Sequence, residues 1–416
     1  MRVVVLGAGV IGVTTAYELH ADGHEVVVLD RRPGAAEETS FANAGLIAPG
    51  HSYTWASPKA PRIMLRSLYQ QDQALRFKPR LDPELYLWSA RFLRNCTAAR
   101  SRVNTLRKLR LCTYAQDRLH HVVAETGVGY DASTGGLFYL YRDPAALERA
   151  QASMQILRDG GRRMEPLDVD GIVELDPAFG SARRALAGAV FCPDDEGGDA
   201  HVFTRGLAVW LAERGVEFGY GVNVLGFDLV GDHVESVQTT SGRIAGDAYV
   251  LALGTGSARL ARDLGLRLPI YPIKGYSVTF PLAQEPPAHG GVDEESLTAF
   301  CPMGDRLRLT STAEFAGYDT SHQPRDFDAM IASAQELFPR AADWSKPSYW
   351  AGLRPMTPEG TPIMGRGKQR NVYLNAGHGH MGWTMACGSA RIVADVLRGE
   401  LPAIDTRGMT LAGAGA

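Results

Sequence analysis

The sequence predicts an α/β protein in two parts: a Rossmann-like sheet assembled from discontinuous stretches, and an α+β region with an antiparallel sheet inserted between them. Three observations predict it. The chain opens on a strand, a glycine-rich turn, a helix and a second strand within about thirty residues. Blocks of the same texture return after residue 200 and again near the end. The stretches in between alternate polar and apolar side chains at period two, as half-buried antiparallel strands do. The expected boundaries are 1–60, 190–268 and 350–416 for the first part, and 61–189 and 269–349 for the second.

Residues 2–6 (RVVVL) form a β-branched run, and apolar residues then recur at helical spacing over 10–21. Gly23 and His24 turn the chain into a second apolar run, 25–29. Strand, helix, strand in so short a span implies parallel pairing with a right-handed crossover. From 59 to about 125 the pattern is helical and basic, punctuated by Pro58, Pro61, Pro79 and Pro83. Period-two alternation follows in 136–141, 276–280 and 306–311. Within 201–255 a helix over 203–213 leads through Gly215 to short strands and to DAYVLALGTGS. After Gly377 a helix runs through Met385, Ile392, Val393, Val396 and Leu397, and stops before Gly399 and Pro402. The Gly/Ala tail beyond Leu411 reads as unstructured.

The net charge of −3 over 416 residues gives no electrostatic case for nucleic acid. One local excess stands out, thirteen Lys or Arg against three Asp or Glu between Lys59 and Arg110. Solvated helix faces are its plain reading. Peripheral docking to an anionic membrane surface, on the cytoplasmic face of the inner membrane, is the sharper one. The five cysteines are far apart, without a CxxC pair, which suggests neither a disulfide framework nor zinc and fits a reducing, cytoplasmic compartment. No apolar run reaches the length of a membrane span.

Gly7, Gly9 and Gly12 stand in G-x-G-x-x-G order between the first strand and its helix, and Asp30 ends the second strand. The first glycine permits the tight turn and the second a close approach to pyrophosphate. The third brings the helix against the strand, while free N–H groups and the dipole face the phosphates. Asp30 is placed for ribose hydroxyls. This motif does not separate NAD from FAD. Three later segments favour FAD: the strand-to-glycine turn at 247–257, the small-residue run ETSFANAGLIAP (38–49), and NAGHGHMGWTMACGSARIVADVL (375–397), whose helix would point its N-terminus at the flavin ring. His378 and His380 flank a glycine with no nearby Cys or carboxylate, so no metal is expected. Arg354, in the apolar run WAGLRPMTP, needs a partner, and a substrate carboxylate and a structural salt bridge are equal candidates.

EETSFANAGLIAPG, PIKGYSVTFP (272–281), GLRPMTPEGTPIMGR (352–366) and HGHMGWTMACGS (378–389), in that order, resemble the FAD-dependent D-amino acid dehydrogenases, within the D-amino acid oxidase-like and glycine oxidase-like flavoenzymes. The resemblance spans nearly the whole chain. It implies an FAD-binding domain of the Rossmann-like, glutathione-reductase type with an inserted substrate domain. It implies oxidative deamination of a D-amino acid, D-alanine-like, to a 2-oxo acid and ammonia, with electrons passed to a quinone or another acceptor. Arg354 becomes the carboxylate anchor and Tyr276 the candidate substrate tyrosine, with core packing as its equal alternative. Cofactor contacts are expected from Val3, Gly7, Ala8, Gly9, Val10, Ile11, Gly12, Asp30 and Arg31. Further along, Ser40, Asn43, Ala44, Gly45, Leu46, Val224, Gly254, Gly379, His380, Met381 and Gly382 join them. His380 departs from the family pattern, where a small or hydroxylic residue is usual. It is expected to alter substrate choice and to add pH dependence near neutrality. The scheme demands no strong protein base. Oxidation of glycine, sarcosine or another secondary amine such as D-proline is the alternative within the enzyme class, and a non-catalytic flavin-binding subunit is the alternative outside it.

Overall fold

The computed structural model describes residues 1–67, 75–77 and 80–411. Pro79 and the tail beyond Leu411 therefore lie outside the described residues. The first sheet has the strand order Ile363–Arg366, Val372–Ala376, Ala248–Leu251, Arg2–Leu6, Glu25–Asp30, Glu217–Tyr220. All neighbours are parallel except the outer pair Ile363–Arg366 and Val372–Ala376. Both faces are covered, which is why the first strand reads as an unbroken apolar run. Val3 and Val5 pack into a helical layer with the helices Val10–Ala21, Ala200–Ala212 and Gly382–Arg398. Val4 and Leu6 pack against the antiparallel meander Val224–Val230, His233–Thr239, Gly242–Ala245.

The second sheet runs Ser348–Met356, Tyr271–Pro281, Arg306–Phe315, Thr298–Met303, Gly290–Asp293, Leu137–Tyr141, Gly188–Cys192, Glu165–Leu167, with Leu75–Phe77 beside Arg306–Phe315. Antiparallel pairing dominates, as expected from the alternation. Two parallel pairs interrupt it: Gly290–Asp293 on Leu137–Tyr141, and Arg306–Phe315 on Leu75–Phe77.

Strand pairing corrects the expected boundaries. Residue 190 falls inside Gly188–Cys192 and residue 350 inside Ser348–Met356, both strands of the second sheet. Composition shifts cannot mark a boundary that hydrogen bonding sets. The helix Ala98–Thr126, expected with the second part, buries Leu111, Cys112, Leu119 and Val122 in the helical layer of the first sheet. It is clamped there by charge. Glu18, 1% exposed, accepts from Arg118 at 2.7 Å and Arg391 at 2.9 Å, and Arg391 also holds Asp22 and Asp395. Much of the basic character of 59–110 is thus separate from this buried network, and stays on the surface.

Candidate functional site

One cavity of about 1080 Å³ runs from the glycine turn, across the C-terminal ends of the first sheet, to the glycine-rich face of the second. Ligands in open α/β sheets sit at such strand ends. At one end lie Gly7, Gly9, Val10 and Ile11, with Asp30, Arg31 and Arg32 beside them and Val224 opposite. Gly7 sits at φ +110, and a Cβ there would lie 2.5 Å from Ala252 O. A Cβ on Gly12 would lie 1.8 Å from Gly7 O. These two glycines let turn, helix and neighbouring strand meet in the space of a backbone.

Asp30 accepts from Ala8 N at 2.7 Å and Arg32 N at 2.8 Å, which fixes its carboxylate at the cavity edge with lone pairs to spare. Burial raises its pKa above the usual value. Ser40 Oγ accepts from Val10 N at 3.0 Å, tying the 38–49 loop to the helix start. That loop lines the middle of the cavity through Ser40, Asn43, Ala44, Gly45 and Leu46, and Gly254 faces it across the gap. Beyond, Gly379, His380, Met381 and Gly382 form the wall, and the helix Gly382–Arg398 begins without a side-chain cap. Its first N–H groups are the unsatisfied donors that a planar anionic ring edge can accept. Asn375 also lines this wall, and its Oδ1 is buried without a hydrogen-bond partner.

Three expected cofactor residues sit behind the wall rather than on it. Val3 is buried within its strand, Ala8 gives its N–H to Asp30, and Gly12 serves packing.

At the far end, Arg354 enters the cavity from the strand Ser348–Met356. Its Nη1 donates to Thr312 O at 2.7 Å, and no carboxylate pairs with it among the described residues. Burial pushes the guanidinium pKa down to about 10. Its space is provided by Gly275 on the adjacent strand, where a Cβ would lie 2.4 Å from Arg354 Cζ. Gly352 makes room for Trp350 in the same way. The expected salt bridge to a carboxylate is not formed among the described residues.

Tyr276 is a correction. Successive side chains on a strand point to opposite faces, so a neighbour of the cavity-lining Gly275 faces away. Tyr276 is 1% exposed in the second core, edge-on to Phe327 at 5.4 Å, with its hydroxyl on Glu314. Core packing, the alternative reading, is what it does.

His380 lines the cavity, stacked on Trp55 with ring centroids 4.8 Å apart. The expected pH dependence near neutrality is also corrected. Desolvation by the surrounding protein, and then the charges of Lys108 and Arg354, push its pKa well below the usual value, so the ring stays neutral. His378 is buried on Ser389 Oγ at 3.0 Å, and burial takes its pKa down to about 3. No cluster among the described residues has the makings of a metal site.

Sequence reasoning passed over His51, Trp55 and Trp350, which line the cavity. The first two follow directly on the small-residue run that hugs the cavity, in GHSYTW, and that adjacency was the available signal.

A family model described as FAD dependent oxidoreductase matches residues 2–396. The chain belongs to this family. FAD is accordingly the cofactor, and the glycine turn, Asp30, the 38–49 loop and the uncapped helix start are the residues that fit it. A relative named D-amino acid dehydrogenase 2, from Mesorhizobium japonicum, is 44% identical over 416 residues, covering 99% of this chain and 100% of the relative. A D-amino acid dehydrogenase from Paramagnetospirillum magneticum is 44% identical, covering 98% of each chain. Among solved structures, glycine oxidase from Geobacillus kaustophilus aligns with TM-score 0.76 at 21% identity, covering 100% of both chains. L-proline dehydrogenase from P. horikoshii aligns at 0.72 and 17%, covering 96% and 94%. At such identity these two speak for the fold.

Proposed function

We propose that this FAD-dependent oxidoreductase deaminates D-amino acids to 2-oxo acids and ammonia and passes the electrons to a quinone or another acceptor. The observation that carries the reading is Arg354: a half-buried guanidinium with a carbonyl as its only partner among the described residues, on the wall of the same cavity as the dinucleotide cradle. A cation drawn half out of water and without a carboxylate partner calls for an anion, and the planar fork matches a carboxylate. The D configuration rests on the names of the relatives.

Arg354 fixes the substrate carboxylate, and a fixed carboxylate leaves the Cα substituents few orientations, which is where positioning lowers the barrier. Trp55, Trp350 and the neutral ring of His380 enclose the remainder of the substrate and displace water. FAD, when bound, takes up the two electrons removed from the substrate. The imino acid then reacts with water outside any need for a protein group. A panel of D-amino acids, their L-isomers, glycine, sarcosine and D-proline, with an artificial dye acceptor, tests the reading. Turnover confined to the secondary amines would replace it with their oxidation.

Peripheral membrane docking, where a quinone acceptor would be met, draws support from two exposed helix faces. On the helices Ala60–Ser67 and Pro83–Asn95, the exposed Ile63, Leu65, Tyr86, Leu87 and Leu93 are interspersed with the exposed Arg62, Arg91 and Arg94. No helix among the described residues is long and apolar enough to cross a membrane. Co-sedimentation with anionic but not neutral vesicles at low salt is the expected result, and equal absence from both removes this part of the reading.

A further inference from the structure

A histidine on the cavity wall is paired with a carboxylate, and no step above uses the pair. His51 closes the 3-10 turn Pro49–His51 and lines the cavity, and its Nε2 lies 2.8 Å from Glu294 Oε1. Its ring stacks on Tyr139 with centroids 4.8 Å apart and planes at 12°. The turn is pinned from beneath. Gly50 N–H donates to both oxygens of buried Asp195, at 2.9 and 3.1 Å, and Asp195 also accepts the Tyr139 hydroxyl at 2.8 Å. Position, ring plane and one nitrogen of His51 are therefore all fixed.

A carboxylate only accepts, so Nε2 carries a hydrogen, and in the neutral ring the lone pair is on Nδ1. Nδ1 has no hydrogen-bond partner among the described residues. A ring held by a carboxylate at one nitrogen and free at the other is arranged to take a proton, with the resulting imidazolium stabilised by the carboxylate.

The surrounding charges permit this. On the Glu294 side stand Tyr53, Tyr139 and Tyr141, all kept protonated by burial and by the charge of Glu294. Asp195, beneath the turn, is paired with Arg162 at 3.2 Å. On the cavity side stand Arg354, the neutral His380, and Lys108, which reaches from the helix Ala98–Thr126 to Tyr53 O at 2.8 Å. The two cations oppose a bare imidazolium at 51. A substrate carboxylate on Arg354 offsets one of them, and Glu294 offsets the imidazolium itself.

We propose that His51 Nδ1 accepts a proton from the substrate's ammonium group, so that the amino acid is oxidised as its free amine. An N–H bond of the ammonium breaks and an Nδ1–H bond forms, and no electrons change hands. The freed nitrogen lone pair becomes available for the C=N bond of the product. This rests on the amino-acid reading above, since only an ammonium substrate brings a proton to remove.

The test is anaerobic mixing of flavin-loaded protein with a D-amino acid that the wild type oxidises, following the loss of flavin absorbance against pH. His51→Gln is expected to slow the limiting rate about 100-fold at neutral pH. The ratio of wild-type to variant rate should close toward unity at alkaline pH, where the substrate is itself the free amine. Glu294→Gln should show a smaller deficit that closes in the same way, and it carries the test if His51→Gln fails to bind flavin. Affinity for an amine-free carboxylate, read from the flavin spectrum, should be unchanged in both. A deficit that persists at alkaline pH, or a change confined to KM, overturns the proton role. A wild type that no D-amino acid reduces overturns the amino-acid reading instead, before any variant is compared.

Discussion

Gly12→Ala is the most local perturbation of the cradle. A Cβ at this position would lie 1.8 Å from Gly7 O and 2.8 Å from Gly7 C, both backbone atoms. Ordinary van der Waals separation is about 3.5 Å. Gly7 cannot yield, because it sits at φ +110 and already packs against Ala252. The helix Val10–Ala21 must retreat instead, and Val13, Ala16 and Tyr17 on it are no more than 1% exposed, so retreat opens voids in a packed layer. Overpacking of this kind costs about 1–3 kcal/mol. Binding FAD requires the turn to re-form, so affinity should fall about 5- to 150-fold, at 1.4 kcal/mol per factor of ten. Flavin fluorescence titration of the apoprotein measures it. Gly23→Ala is the control: φ is +81 with no atom within 4 Å, so it bears only backbone strain of about 1 kcal/mol and should bind FAD normally. Wild-type affinity in Gly12→Ala, or equal losses in the two variants, would refute the close-packing account of the turn.

Four further outcomes follow from the same structure. Arg354→Ala should lower kcat/KM on amino acids by about 2–5 kcal/mol, some 30- to 5,000-fold, while flavin stays bound. The wild-type kcat/KM should fall as pH rises through about 10, where the desolvated guanidinium loses its proton. Asp195 has its carboxyl raised by burial to about 6, above the unfolded value, so it contributes stability below about pH 4 that is lost as pH rises to about 6. The loss is about 3 kcal/mol, and urea midpoints against pH should show that slope in the wild type and not in Asp195→Asn. Arg391→Met leaves Glu18, Asp22 and Asp395 each short of a partner and should destabilise the fold by about 3–5 kcal/mol in chemical denaturation; a change under about 1 kcal/mol would mean that the cluster is solvated.

The cradle was legible in the sequence because its residues are adjacent in the chain and each is dictated by local geometry. Gly7, Gly9 and Asp30 fall where a strand-turn-helix must place them, and the small residues of 38–49 and 375–382 mark backbone that a planar ligand approaches. Arg354 was legible as a misfit, a charge in an apolar run. Tyr276 was left between substrate contact and core packing, and its neighbour decides it: Gly275 lines the cavity and makes room for Arg354, and a period of two sends the tyrosine into the core. His51 was silent because its partner Glu294 is 243 residues away and joins it only when the second sheet folds. The helix Ala98–Thr126 was misassigned for a related reason, since its charged and apolar pattern does not say which of two sheets it covers.

The most direct test of the account is the visible spectrum of purified, flavin-loaded protein before and after anaerobic D-alanine or another D-amino acid of the panel. Bleaching of the oxidised flavin band by a D-isomer, slowed by orders of magnitude in Arg354→Ala at unchanged flavin content, is the predicted result. Bleaching that is equally fast in Arg354→Ala, or absent with every D-amino acid, would contradict it.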